Sequence, residues 1–481
     1  MWNRRHFLKT SAVCVWGAYA PMFAAAGKLR AGAATVNVTP PLGSSLAGLM
    51  TDRKATEIHD ELHVRALALD NGNARLGIAV IDSCAVPRTI IDRAKEMVRE
   101  RAGVPASHLL VSATHTHTAP AAAYLFQSQP DPKYVEGLAV RIADCLQLAF
   151  ARLEPARIGF GSGSEPRLVF NRRYYMKPGS IPPDPFGRTT DRVKMNPPPG
   201  SPDIVKPAGP TDPEVSVLAI ESADRRPIAL LASYALHYVG GTGPGHVSAD
   251  YFGAWADTME RLAGRADSNR FPPFVPILAN ACSGNINGVN FQKPREQHAP
   301  YEQMRTYAEI LAAECFRTWR TLEFNNTAEL AASIEEMELG VRMPSSGDIA
   351  AARKILDNAG HAPLNGYKQL PEIYARETVL LSETFPARVK TFVQALRIGG
   401  LGIATYPGEA FVELGLEAKA KSPFRPTMLI ELANDYRGYI PTVEGHELGG
   451  YETWRAKSSY LEKNAAPTMV ASAVQQLGAL A

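Results

Sequence analysis

The chain has 481 residues, 45% of them hydrophobic, with 51 lysine and arginine side chains against 48 aspartate and glutamate. Such a length and apolar content support a large buried core and exclude a disordered or fibrous polypeptide. The near balance of charge gives no basic surplus for nucleic acid or anionic lipid.

The N-terminus reads Asn3-Arg4-Arg5-His6-Phe7-Leu8-Lys9, then an apolar run from Thr10 to Tyr19 and small residues through Ala24-Ala25-Ala26. This is the pattern of a twin-arginine export signal over residues 1–30, which predicts a periplasmic or secreted protein. The apolar run is too short for a membrane span, so no transmembrane helix is expected in the mature chain. Cleavage after the alanines at 24–26 would remove Arg4, Arg5 and Lys9 and leave 48 basic against 48 acidic side chains.

Beyond Gly32, short apolar strands alternate with helical periodicity. His63 to Leu69 and Leu76 to Asp82 read as strands, Thr89 to Ala102 as a helix, and Leu109 to Ala113 as the next strand. That last strand runs into Thr114-His115-Thr116-His117-Thr118. Alternate residues of a strand share a face, so His115 and His117 are expected to start roughly 6–7 Å apart on one side, where one or both could bind a metal. A metallo-β-lactamase-type site would need Asp and His shortly after His117, but Ala119 and Pro120 stand there. Further ligands must therefore come from distant segments.

Tyr134 to Leu153 is a long amphipathic helix. Tyr175 to Pro213 has little periodicity and many prolines, and is expected to be a loop that caps a cleft. Val215 to Ile220 and Ile228 to Ser233 form a paired strand unit, Val275 to Ala279 another strand, and Tyr301 to Trp319 a helix. Leu330 to Val341 is strand-like, Ile349 to Ala359 helical, Val393 to Tyr406 a hairpin turning at Gly399-Gly400, and Thr468 to Leu477 helical. The mixed order predicts an α/β fold with a mixed β-sheet core and flanking helices, forming one domain over residues 31–481.

Two further metal-ligand types stand at strand ends. His237 closes an apolar strand before Gly240-Gly241, and Glu409 follows the hairpin, although an acidic residue there also suits a helix N-terminus. Cys84, Cys145, Cys282 and Cys315 are too widely spaced for a zinc ribbon, and any disulfide among them cannot be paired from sequence.

The segments Ala31-Gly32-Ala33-Ala34-Thr35-Val36-Asn37-Val38-Thr39-Pro40-Pro41, Ser112 to Pro120 and Asp212 to Leu218 resemble the catalytic domain of the neutral, non-lysosomal ceramidases. The resemblance extends from Arg30 to Tyr451. It implies one Zn²⁺ per chain, held by His115, His237, Glu409 and Tyr439. It further implies that His117 contacts the substrate carbonyl or attacking oxygen, that Tyr451 faces the substrate and that Arg172 lies at the site. Two imidazoles and a carboxylate suit a catalytic zinc with an open position for water. Tyr439, Tyr451 and His117 could then donate to an oxyanion or protonate a leaving amine.

The pattern departs from that family in two places. Asn280-Ala281-Cys282-Ser283-Gly284-Asn285-Ile286-Asn287 puts Asn287 where the family has a catalytic serine, and Ser283 lies four residues too early to replace it. Asn cannot act as an acyl-accepting nucleophile, which leaves Asn285 and Asn287 as candidate hydrogen-bond donors to substrate. The family's C-terminal β-sandwich also has no counterpart after Tyr451. The expected activity is zinc-dependent hydrolysis of an N-acyl amide in a small or lipid-like molecule that need not be ceramide. An esterase, lactonase or phosphoesterase on the same scaffold, or a binding protein without catalysis, are the alternatives.

Overall fold

The computed structural model describes residues 28–264, 271–360 and 366–481. The proposed export signal lies almost wholly outside them. Twelve strands build the two main sheets: β1 (Arg30–Asn37), β2 (His63–Asp70), β3 (Arg75–Ile81), β4 (Leu109–Ala113), β5 (Glu154–Ser164), β6 (Glu214–Ser222), β7 (Pro227–Tyr234), β8 (Val275–Asn280), β9 (Leu330–Gly340), β10 (Arg388–Ile398), β11 (Leu401–Thr405) and β12 (Thr427–Ile430). The helices used below are α1 (Arg88–Ala102), α2 (Pro132–Ala151), α3 (Asp250–Leu262), α4 (Glu302–Trp319), α5 (Ser346–Ala359), α6 (Leu370–Thr384), α7 (Val412–Lys421) and α8 (Ala465–Leu480).

The first sheet has eight strands in the order β8-β7-β6-β5-β1-β2-β3-β4, and the second has four in the order β9-β10-β11-β12. Antiparallel pairing dominates, but β3–β4, β7–β8 and β11–β12 are parallel. Parallel neighbours need a crossover, and α1, α3 and α7 supply one to each pair. The core is therefore the expected mixed sheet with flanking helices.

Apolar side chains of β1 to β4 pack against α1 and α2, while those of β6 and β7 pack against α3 and α4. The opposite face of the large sheet meets the small one through Leu218, Ile220, Ile277, Leu396, Ile403 and Met428. Burial on both faces explains why these strands read as continuous apolar runs.

Local chemistry fixes the helix ends. Asp131 caps α2 by accepting from the Lys133 N–H, with Pro132 at the first position, and Ser345 with Asp348 forms a capping box on α5. Gly103 ends α1 at φ 64°.

The segment after β12 joins the edges of the large sheet. The Glu431 N–H donates to Asn280 O on β8 (2.9 Å), while the Ala113 N–H donates to Leu432 O (3.2 Å) and the Asn434 N–H to Val111 O (2.7 Å) on β4. Residues 431–434 thus bridge β8 and β4, and the C-terminal ends of β4, β7, β8 and β11 converge. The bridge brings together His115, His237 and Glu409, which are remote in sequence.

The proline-rich segment is more ordered than its composition suggests. Arg173–Met176, Val193–Met195 and Ile204–Pro207 form a small three-stranded sheet, and residues 181–183 and 193–196 wall a cleft. Prolines between short strands hide this sheet from periodicity. All four described cysteines are buried and free, so none forms a disulfide among the described residues.

Lys95 on α1 is buried, with its Nζ donating to Asn434 Oδ1 (2.7 Å) and lying 5.4 Å from the Phe392 ring centre. Burial pushes its ammonium from 10.5 down to about 7. The unfolded chain therefore holds a proton between about pH 7 and 10.5 that the folded chain has released. Stability accordingly rises with pH through that window, and the full penalty remains below it. Lys95→Met is expected to stabilise the protein at about pH 6 by on the order of 1–2 kcal/mol. Thermal melts should show this gain vanish by about pH 10.5.

Candidate active site

The strand expected to present both histidines stops at Ala113. His115 instead has a left-handed backbone, φ 72°, which breaks strand alternation. The rings still converge: His115 Nε2 lies 3.1 Å from His117 Nε2 and 3.1 Å from His237 Nε2. The ring of His117 stacks on Tyr238 at 3.7 Å, and the Gly48 backbone lies directly beneath it. A Cβ on Gly48 would fall 2.4 Å from His117 Cγ, and φ 101° there also favours glycine.

Backbone carbonyls orient two of the imidazoles. His115 Nδ1–H donates to Cys84 O at 2.7 Å and His237 Nδ1–H to Ser283 O at 3.2 Å. With Nδ1 of each ring turned to a carbonyl, the two Nε2 atoms face each other 3.1 Å apart and are the ring positions a shared metal would take. Glu409 Oε2 faces them at 3.3 and 3.7 Å and is buried without a hydrogen-bond partner among the described residues. Ligand atoms of His115, His237 and Glu409 all lie within 4.8 Å of one another. Neighbouring ligands 2.0–2.1 Å from one tetrahedral zinc are about 3.3 Å apart, so the two imidazoles and the carboxylate fit such an ion.

Glu409 is fixed by its neighbours. The parallel pair Glu409–Ala410 and Tyr439–Ile440 sets Glu409 beside Tyr439, and Tyr436 Oη donates to Glu409 Oε1 at 2.8 Å. Arg172 Nη2 donates to Tyr439 Oη at 3.0 Å, while its Nε donates to Glu452 Oε1 at 3.0 Å. Arg172 is thus held in a buried ion pair rather than at the surface. Tyr451 lies edge-on to Tyr439, with ring centres 5.7 Å apart, and lines the cleft.

Electrostatics follow from this packing. Burial opposes charge on His115, but Glu409 and Cys84 outweigh it and raise its pKa well above the ordinary value. Burial lowers His117 and His237 well below theirs, reinforced by His115 and by Arg172. Burial works to raise Glu409, yet His115, Tyr439 and Arg172 hold it below the usual carboxylate range.

Of the two asparagines expected at the substrate, Asn287 borders the cleft and Asn285 is not among the residues that line it. Asn285 is buried, its Oδ1 accepting from the Val412 N–H and its Nδ2 donating to Glu413 Oε2, both at 2.8 Å. It braces α7 and does not line the cleft. Asn287 borders a second lobe of the cleft, but its Nδ2 donates to Asn196 Oδ1 and its Oδ1 accepts from the Val289 N–H. Ser283 Oγ donates to Glu431 Oε1, and burial pushes that carboxyl up to about 8. Sequence reasoning missed Gly48, Tyr238, Tyr436 and Glu452. Tyr436 lies three residues before Tyr439 in one aromatic run, the single available signal among them.

No family model matches the chain, and no curated protein matches its sequence. Solved structures do. One described as a ceramidase complexed with C2 has a TM-score of 0.71 at 18% identity, over 94% of this chain and 75% of that one. The neutral ceramidase from Pseudomonas aeruginosa has a TM-score of 0.69 at 18% identity, over 94% of this chain and 74% of that one. The chain has the fold of those ceramidases.

Proposed function

We propose that the protein is an exported, zinc-dependent hydrolase that cleaves the C–N bond of an N-acyl amide. The observation that carries this reading is the convergence of His115 Nε2 and His237 Nε2, 3.1 Å apart, on a buried Glu409 oxygen that has no hydrogen-bond partner among the described residues. His115, His237 and Glu409 would hold the ion, with Tyr439 beside them. Bound zinc would lower the pKa of a coordinated water and polarise the scissile carbonyl.

The chain's own groups supply the rest. His117 is neutral near pH 7 because its burial disfavours the charged form, and its Nε2 points to the same centre. It can accept a proton there or hydrogen-bond the reacting oxygen. Arg172 places positive charge against Tyr439 Oη, so that this hydroxyl can donate to charge developing on the carbonyl oxygen. Glu452 keeps Arg172 from swinging away. The walls of the cleft around Leu49, Met50, Ile181 and Trp454 suit an apolar acyl chain. Water can attack without a serine, which accommodates Asn287.

The ceramidase fold and the paired arginines Arg4 and Arg5 support the amidase and export readings respectively. Among the described residues no helix is long and apolar enough to cross a membrane. Turnover of N-octanoyl amides by purified protein tests the proposal. Hydrolysis that stops on chelation and returns with zinc is expected. Zinc-loaded protein inert towards amides but active on matched octanoyl esters would replace the amidase reading with an esterase.

A further inference from the structure

The cleft has two unlike lobes that meet at Arg172, His237 and Tyr238. The first, about 410 Å³, is walled by Leu49, Met50, Ile181, Val193, Leu370 and Trp454. Its one acidic side chain, Asp191, accepts from the Trp454 indole N–H. The second, about 540 Å³, is bordered by Asn196, Asn287, Gln303 and the Gly240-Gly241 turn.

Three cationic side chains, Arg172, Lys194 and Arg295, border the second lobe, and no acidic one does. Arg172 is compensated by Glu452. Neither Lys194 nor Arg295 has an ion-pair partner among the described residues. Lys194 borders both lobes. The chain as a whole is close to charge balance. Two uncompensated cations on one wall are thus a local feature rather than the reflection of a basic protein.

We infer that the substrate is an N-acyl amine whose leaving half carries a carboxylate, as in an N-acyl amino acid. The acyl chain occupies the apolar lobe, the amide lies at the histidine cluster, and the carboxylate is held by Lys194 and Arg295. Ammonium and guanidinium donors bind a carboxylate through charge-assisted hydrogen bonds that a neutral diol or ethanolamine cannot return. Partial exposure of the lobe screens the attraction, so its effect is selectivity rather than very tight binding. This assignment rests on the amidase reading of the site.

Binding of matched sulfonamides, which do not hydrolyse, tests it apart from turnover. N-octylsulfonyl-glycine and N-octylsulfonyl-ethanolamine are titrated calorimetrically into zinc-loaded full-length protein. The glycine ligand is expected to bind about tenfold more tightly. Lys194→Gln and Arg295→Gln should each remove several-fold of that preference by weakening the glycine ligand more than the ethanolamine ligand. Equal affinities in the wild type, or variants that weaken both ligands alike, would overturn the inference. A preserved preference without turnover of N-octanoyl-glycine would instead count against the amidase reading alone, whereas amide turnover with equal affinities would count only against the carboxylate.

Discussion

Replacing either His115 or His237 by alanine is expected to abolish the binding of about one zinc per chain proposed for the wild type. Both rings aim Nε2 at one point, and both spend Nδ1–H on a fixed carbonyl, Cys84 O and Ser283 O. Removing one leaves a single imidazole with Glu409 and the weakly donating phenol Tyr439, too poor a donor set for a stable tetrahedral site. Activity should fall by about 10³-fold or more, since no other group here can activate water comparably. Metal analysis after dialysis, with circular dichroism to check folding, reads the result. A variant that folds and keeps full zinc would remove the altered histidine from the ligand set.

His117→Ala is expected to do the opposite: retain zinc yet lower kcat by about 10²–10³-fold. The contrast comes from the surroundings of His117 and not from its sequence spacing. Its Nε2 is 3.1 Å from that of His115, but its ring stacks on Tyr238 and borders the open cleft, against the Gly48 backbone. Glu409 Oε2 faces His115 and His237 instead. Parallel measurement of zinc content and kcat separates the two roles. Loss of zinc in His117→Ala would make it a ligand and leave proton transfer to Tyr439 or Tyr451.

Much of the scaffold is readable from sequence for a simple reason. Doubly covered strands such as β4, β7 and β8 are unbroken apolar runs, and the ends of α1 and α2 carry Gly103 and Asp131. Strand β5 is hidden because Gly159, Gly161 and Gly163 replace the side chains that would show alternation. A Cβ at Gly163 would meet Glu314 Oε1 of α4 at 2.1 Å, and those at Gly159 and Gly161 would meet Leu322, just beyond that helix, at 3.0 and 2.8 Å. Helix α6 also escapes, its buried face mixing Tyr374 with Arg376 and Glu377.

The candidate site divides similarly. His115, His237 and Glu409 stand just beyond strands, where ligand-type residues are conspicuous. Gly48, Tyr238 and Glu452 matter only through contacts made by the fold, such as the Glu452 ion pair with Arg172 across 280 positions of sequence. Asn285 shows the converse. Its neighbourhood suggests substrate, but Glu413 and the Val412 N–H already occupy its amide.

The most direct test of the proposed zinc centre is anomalous diffraction at the zinc edge from crystals of the purified protein. A single peak is expected between His115 Nε2, His237 Nε2 and Glu409 Oε2. Fully zinc-loaded crystals with no peak there, or with the peak at another cluster, would contradict it.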